Sequence, residues 1–250
     1  MLKVIISGCN GAMGQVLAKT IESMENTEIS VGIDKNVDRC KNNYDVYSDI
    51  CDYKGTADVI IDFSNPAGLE NLLNYGIENK TPIVIATTGL SSENVDSIKK
   101  ASEKIAVFQS GNTSLGINVL TSLVKKAAAS LSESFDIEII EKHHNKKVDA
   151  PSGTAYMIAN AINDELNNSK EFIYGREGIR KREKNEIGIH SVRGGTIAGE
   201  HTVIFAGTDE IVEIKHTAMS KNIFAQGAVK AAKYLVNQDK GLYNMDDLLS

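Results

Sequence analysis

Tryptophan is absent from the 250 residues, and proline and cysteine occur only three times each. So little proline excludes a proline-rich linker between domains, and no low-complexity run takes its place. The cysteines, Cys9, Cys40 and Cys51, form no CxxC pair and are odd in number. That excludes a disulfide framework and a cysteine zinc site, and makes a reducing, cytoplasmic compartment the expectation. Long apolar runs are missing as well. No stretch reaches the roughly 20 residues of a membrane span, and "MLKVIISGCNG" enters a glycine loop too soon for a signal peptide. Positive charge is not in excess either. The 33 acidic residues outnumber the 27 Lys and Arg, for a formal net charge of -6. This balance speaks against nucleic acid or an anionic membrane as a partner, so an anionic ligand would need a local basic patch. At 42% hydrophobic, the chain has enough apolar surface for one large core or two modest ones.

What is present is a rhythm. Short runs, "LKVIISG", "EISVGID", "ADVIIDFS", "PIVIATTG" and "IAVFQSGN", alternate with amphipathic segments through the first half. These runs are continuously apolar, as strands buried on both faces of a parallel sheet are. Between them, "MGQVLAKTIES", "PAGLENLLNYGIEN" and "SSENVDSIKKASEK" carry helical spacing. The alternation predicts a doubly wound parallel α/β sheet. Past Asn112 the rhythm changes. "GINVLTSLVKKAAASL" predicts a long helix, "FDIEIIEKHH" a strand and "APSGTAYMIANAINDEL" another helix. "EFIYGREGIRKREKNEIG" is charged and aperiodic, and reads as a solvated loop. "IGIHSVRGG", "GEHTVIFAG" and "EIVEIKHTA" read as strands joined by short turns in antiparallel style, and "NIFAQGAVKAAKYLVNQ" as a closing helix before a short tail. His190, His201 and His216 fall on these strands and read as structural or polar-face residues.

The first strand runs into Gly8-Cys9-Asn10-Gly11-Ala12-Met13-Gly14 and then a helix. Small residues at this spacing let the backbone approach a pyrophosphate, and the helix start supplies N–H donors. Asp34 closes the second strand about twenty residues beyond the last glycine, where a carboxylate takes the adenosine ribose. Lys35 beside it would neutralise a 2′-phosphate, so NADH and NADPH both remain open, with a lean to NADH. The loops "IATTGL" and "QSGNTS" lie on the carboxyl edge of the sheet, where Thr87, Thr88 and Ser114 would suit a nicotinamide ribose and its carboxamide. The plainer alternative is a nucleotide-free α/β turn with ordinary turn residues.

A second stretch, "EKHHNKKVDAPSGTA", puts adjacent histidines and lysines ahead of a helix start. Pro151 and Ser152 sit at that start, which leaves the N–H groups around Gly153 and Thr154 without helical partners. Those donors, with the Thr154 hydroxyl, suit a carboxylate. Lys147 and His144 would add charge, in a cluster of like cations that repel one another, and His143 would donate a proton near neutral pH. Alternation along the strand points the two histidines to opposite faces. The competing reading is a solvated basic loop with an ordinary serine cap. No further His or carboxylate pair has ligand spacing, so no metal is expected.

"EIIEKHHNKKVDAPSGTA" closely resembles the signature of the 4-hydroxy-tetrahydrodipicolinate reductase (dihydrodipicolinate reductase) family. The likeness extends through "GCNGAMG", "ATTG", "GNTSLGINV", "RGGTIAGEHTV" and "SKNIFAQGAVKAA". It implies a Rossmann-type doubly wound parallel sheet over 1–114 and 221–250, the dinucleotide-binding domain. Inserted at 115–220 is an α+β substrate and oligomerisation domain with a mixed, largely antiparallel sheet. It implies NAD(P)H-dependent reduction of a cyclic dicarboxylate in the diaminopimelate route of lysine biosynthesis, by a cytoplasmic homotetramer. Carried over residue by residue, His143 and Lys147 are catalytic, and His144, Lys147, Ser152, Gly153 and Thr154 hold the substrate. Gly8, Cys9, Asn10, Gly11, Ala12, Met13, Asp34 and Lys35 hold the dinucleotide, assisted by Ala86, Thr87, Thr88, Gly111, Asn112, Thr113 and Ser114. The chain departs from the pattern at Ala12, where many members carry an arginine, at Ala86, often glycine, and at Lys221, often arginine.

Other classes remain to be separated. A different two-domain nicotinamide dehydrogenase keeps the glycine loop and has no need of "HHNKKVDAPSGT". A non-catalytic dinucleotide sensor keeps Asp34 and needs no proton donor beside an anion site.

Overall fold

A computed structural model describes all 250 residues, 1–250. The chain divides into two compact units, Met1–Leu115 with Lys221–Ser250, and Gly116–Ser220. The first unit runs β1 (Leu2–Ser7), α1 (Ala12–Glu22), β2 (Thr27–Ile33), β3 (Val46–Tyr47), β4 (Val59–Asp62), α2 (Leu69–Asn79), β5 (Ile83–Ile85), α3 (Ser92–Ser102) and β6 (Ala106–Gln109). The second holds α4 (Leu115–Leu131, from its second residue), β7 (Asp136–His143), α5 (Gly153–Glu165), β8 (Glu171–Tyr174), β9 (Glu186–Arg193), β10 (Gly199–Ala206) and β11 (Ile211–Ala218). The chain then returns to the first unit with α6 (Asn222–Leu235), β12 (Gly241–Tyr243) and α7 (Met245–Leu249).

The first sheet has seven strands in the order β12-β6-β5-β4-β1-β2-β3, every neighbouring pair parallel. Its apolar strands are divided by the period of two. Val4, Ile6, Val59, Ile61 and Val84 pack with Leu17 and Ile21 of α1 and with Ala225, Ala228, Val229 and Ala232 of α6. Ile5, Ile60, Ile83 and Ile85 pack on the opposite face with Leu69, Leu72 and Leu73 of α2 and Ile98 of α3. Both faces are thus covered, as a parallel sheet requires. The order reverses direction between β1 and β4, which opens a crevice beyond their carboxyl ends.

The short edge strands β3 and β12 are additions to the sequence reading. A strand of two or three residues leaves too little pattern to detect. β12, paired with β6, extends the sheet into what reads as a plain tail.

The second sheet has the order β11-β10-β7-β9-β8. β10 pairs antiparallel with both neighbours, while β7–β9 and β9–β8 are parallel, so the sheet is mixed. The turn between β9 and β10 does not make a hairpin, because β7 lies between them. Instead the turn caps the end of β7: Gly194 N–H donates to His143 O at 2.9 Å and Asn145 N–H to Gly195 O at 3.2 Å. One face of the sheet, with Ile137, Ile139, Ile187, Ile189, Val203 and Phe205, packs on Leu120, Val124 and Ala128 of α4 and on Ala155, Ile158, Ala159 and Ile162 of α5.

The stretch read as a solvated loop is corrected at its ends, where 171–174 form β8 and 186–188 open β9; 175–185 is irregular and mostly exposed, as expected. Its arginines are nonetheless held by carboxylates. Arg176 binds Glu138 at 2.6 Å and Glu186 at 2.8 Å, Arg180 binds Glu186 at 2.6 Å, and Arg182 binds Asp136 at 2.7 Å. High local charge concealed a strand whose half-buried apolar content is only Phe172 and Ile173. No helix is long and apolar enough to cross a membrane.

Within the first unit, α6 lies tightly on the loop after β6. The Thr113 hydroxyl donates to Phe224 O at 2.7 Å, and a methyl at Gly227 would overlap the Thr113 carbonyl. Helix propensity alone favours alanine by about 1 kcal/mol, whereas overpacking costs about 1–3 kcal/mol or more when backbone must shift. Gly227→Ala is therefore expected to lower the urea midpoint and Tm. A more stable variant would contradict the close approach.

Candidate active site

In the first unit, the glycine loop stands at the mouth of the β1/β4 crevice. Gly8 has φ +78°, and a Cβ there would lie 2.7 Å from Phe63 O. A Cβ at Gly14 would overlap the Gly8 carbonyl, so α1 can start this close to the strand only with glycine. The start of α1, at Gly11, has no side-chain cap and no acidic residue in its first turn. Its N–H groups are thus left for an anion.

Asp34 braces the loops on either side of it. Its Oδ2 accepts from Asn10 N–H at 3.0 Å and its Oδ1 from Asn36 N–H at 2.9 Å. Each carboxylate oxygen retains a second lone pair for a ligand. The side chains of Cys9 and Asn10 turn inward: both residues are buried, and Asn10 Nδ2 donates to Asn36 O at 2.7 Å. Burial, aided by Asp34, pushes the Cys9 thiol up to about 12. Their N–H groups are engaged as well, Cys9's with Ile33 O at 3.2 Å and Asn10's with Asp34, so neither residue offers a free donor to a cofactor. A cleft of about 400 Å³ is lined by Gly8, Gly11, Asp34, Lys35 and Arg39 among others. Arg39 is an exposed cation that sequence reasoning passed over; only its position shortly after Asp34 signals it.

A neighbouring cleft of about 320 Å³ is lined by Met13, Ala86, Thr87, Thr88, Gly111, Asn112 and Thr113, with Lys221 and Phe224 from the returning chain. Thr88 is exposed, but the Thr87 hydroxyl is committed, donating to the buried Asp62 at 2.6 Å. Asn112, Thr113 and Ser114 are buried, and Asn112 Oδ1 accepts from Ser114 N–H at 2.9 Å. Ser114 does not line this cleft. The open helix start, the glycine cradle and the two adjoining clefts fit a dinucleotide.

In the second unit, alternation along β7 turns Ile137, Ile139, Glu141 and His143 to one face. The isoleucines join the core, and the last two residues stand at its edge. Glu141 has no exposed surface. Its Oε2 lies 2.6 Å from His143 Nδ1, and Arg193 donates to both carboxylate oxygens at 2.7 Å. Ser152 N–H donates to Oε1 at 3.1 Å. Burial alone would push this carboxyl up, but hydrogen bonds from Arg193, His143 and Ser191 outweigh it and hold Glu141 at about 2.

His201, opposite Glu141 on β10, sets its ring edge-on to His143 with centroids 5.2 Å apart. Its Nε2 lies 3.0 Å from Ser152 Oγ. Burial, with His143 nearby, pushes the His201 imidazole down to about 4, so it is neutral at pH 7.

The structure brings His143, Ser152 and the α5 start into one network, and corrects two expectations. Ser152 does not present its hydroxyl outward: it caps α5, accepting from Ala155 N–H at 3.1 Å, and is buried against His201. The basic stretch is not a bare cluster of cations. Lys147 pairs with Asp149 at 2.8 Å, Lys142 with Glu200, and His143 with Glu141. Asp149 also takes the Gly153 N–H, so an internal carboxylate already engages the cation and donor expected for a ligand. Gly153 is exposed and Thr154 half-buried at the first turn of α5; His144 is half-buried just past β7, and His143 faces the core edge. Glu141 and Arg193 were missed in the sequence, and His201 was read as structural. The available signal was a glutamate two residues before His143, in phase with Ile137 and Ile139.

Comparison with known proteins follows the same division. The description "Dihydrodipicolinate reductase, N-terminus" matches residues 2–113, and "Dihydrodipicolinate reductase, C-terminus" matches 116–249. A 4-hydroxy-tetrahydrodipicolinate reductase of Caldanaerobacter subterraneus subsp. tengcongensis is 53% identical over 250 residues, covering 100% of this chain and 98% of the relative. One from Clostridium novyi is 49% identical over 249 residues, again with 100% and 98% coverage. A dipicolinate-bound dihydrodipicolinate reductase from Paenisporosarcina sp. TG-14 superimposes with a TM-score of 0.80 at 25% identity, covering 98% of this chain and 97% of that one. With both halves matched and such relatives alike from end to end, the chain belongs to the dihydrodipicolinate reductase family.

Proposed function

We propose that the chain reduces 4-hydroxy-tetrahydrodipicolinate to tetrahydrodipicolinate with NADH or NADPH, in the diaminopimelate route to lysine. The observation that carries this reading is the joining of a proton donor to an anion-binding helix start: Glu141 bonds both His143 Nδ1 and Ser152 N–H. A redox sensor or a plain dehydrogenase has no use for that junction.

Residues 1–114 and 221–250 form the dinucleotide-binding domain in this reading. The loop from Gly8 to Met13 would admit the pyrophosphate to the open N–H groups of Ala12 and Met13 at the start of α1, those of Gly8 to Gly11 being engaged within the protein. Asp34 would take the ribose, with Lys35 and Arg39 toward any 2′-phosphate. Ala86 to Thr88 and Gly111 to Ser114 would serve the nicotinamide side. NAD(P)H bound there supplies a hydride.

Residues 115–220 form the substrate and oligomerisation domain. The N–H groups of Gly153 and Thr154, the Thr154 hydroxyl, Lys147 and His144 would hold the substrate carboxylates, sharing Lys147 and Gly153 with Asp149. Ser152 acts through its backbone and as the cap. His143, with Nδ1 on Glu141, presents Nε2 to give a proton to the carbon beside the hydride acceptor, with Lys147 as its partner. Fixed cations lower the energy of the electron-rich intermediate. A cytoplasmic homotetramer belongs to the same reading, and the exposed apolar side chains Tyr174, Val192 and Ile211 on the second sheet support association through it.

The direct test supplies enzymatically generated 4-hydroxy-tetrahydrodipicolinate with NADH or NADPH and follows cofactor oxidation. Turnover is expected, and its absence with both cofactors, despite tight dinucleotide binding, would overturn the reading. His143→Gln is expected to lower kcat by about 10²–10⁴-fold with little change in KM, the range for a lost general acid. Lys147→Ala and Thr154→Val should raise the substrate KM; an unchanged KM in both would contradict the anion site.

A further inference from the structure

We infer that Glu141, clamped by Arg193, is a positioning residue that sets which nitrogen of His143 delivers the proton and ties that choice to the start of α5. Its catalytic consequence rests on the reductase reading; its geometry does not.

A carboxylate facing Nδ1 at 2.6 Å can only accept, so Nδ1 must carry a hydrogen whether the ring is neutral or charged. The proton that His143 gives up then leaves from Nε2 alone. Space around that nitrogen is kept by Gly199 on β10, where a Cβ would lie 3.1 Å from Nε2. The edge of His201 limits rotation of the ring from β10.

Arg193 makes this device workable. Two parallel bonds at 2.7 Å fix the plane of the carboxylate, and Arg193 Nη2 also donates to Asp149 O at 2.6 Å. Its positive charge offsets Glu141, so the carboxylate orients the imidazole without holding the departing proton by an uncompensated charge. The charged and titratable groups facing His143 are Glu141 on its own strand, Arg193 on β9 and His201 on β10, with Lys147 and His216 also acting on His201. The Oε1 bond to Ser152 N–H sets the helix start by the same carboxylate that sets the ring. A solely structural Glu141 would join β7, β9 and α5 with no effect on the tautomer.

The test is imidazole nitrogen NMR on the full-length protein, with steady-state kinetics beside it. In the native protein, neutral His143 is expected as the Nδ1–H tautomer; a predominant Nε2–H tautomer would overturn the inference without any variant. In E141Q, whichever way the amide turns, the charge is lost. The Nε2–H tautomer should grow, kcat should fall about a hundredfold, and the alkaline limb of kcat against pH should move down by about one unit. The substrate KM should change less than about threefold. E141D should restore the Nδ1–H tautomer and much of kcat. An E141Q protein with native tautomer and native pH profile, losing only Tm, would make Glu141 merely structural. Tautomer exchange in E141Q alongside a native protein that turns over no substrate would uphold the positioning role and remove the reductase reading instead.

Discussion

A parallel sheet has no solvent-facing side, and the architecture of the first unit follows from that demand. Every central strand from β1 to β6 divides its apolar side chains between two cores, so each face needs its own helices. Helices α2 and α3 serve one face. On the other, the segment between β6 and α6 is taken up by the second unit, and cover beside α1 comes only when the chain returns as α6. The alanines of α6 and Gly227 permit the close packing this requires, and place Lys221 and Phe224 beside the Thr87 and Asn112 loops. Covering the sheet and furnishing the second cleft are accomplished by the same helix.

The loops of the candidate site are held by carboxylates bonded to backbone N–H groups. Asp34 takes Asn10 and Asn36, Asp62 takes Ser64 N–H and the Thr87 hydroxyl, and Glu141 takes Ser152 N–H with Arg193 and His143. Asp34 and Asp62 stand just past or at the carboxyl end of a strand, where the chain leaves the sheet and backbone partners run out, and Glu141 stands two residues before the end of β7. A negative charge there draws several donors at once and fixes a loop that would otherwise sample many shapes. Part of the ordering a ligand would have to impose is thereby present in the chain itself.

Reading from sequence succeeded where a physical period or a steric demand leaves a local trace. Continuous apolar runs announced the parallel strands, and Gly8, Gly11 and Gly14 marked a backbone that tolerates no side chain. The edge strands β3, β8 and β12 left no such trace, being too short or, for β8, adjoining charges whose partners lie on other strands. The site divided in the same way. His143, Lys147 and Thr154 stand in one stretch and could be gathered by eye, whereas Arg193 is 52 residues from Glu141 and meets it only through the β7–β9 pairing. Ser152 was legible as a cap, but its burial against His201 depended on β10 lying beside β7. Local spacing reveals elements and donors; it does not reveal which carboxylate from another strand compensates a cation.

The return of the chain also orders events in time. The second unit is continuous in sequence and all of it is synthesised before residues 222–235, without which the first cannot be completed. At ribosomal rates of about 5–20 residues per second, the intervening segment takes on the order of ten seconds to make. Throughout that interval Val4, Ile6, Val59, Ile61 and Val84 lack their α6 cover. Until then that apolar sheet face lacks its helix, and the dinucleotide crevice is completed by residues synthesised after the whole of the unit that carries His143.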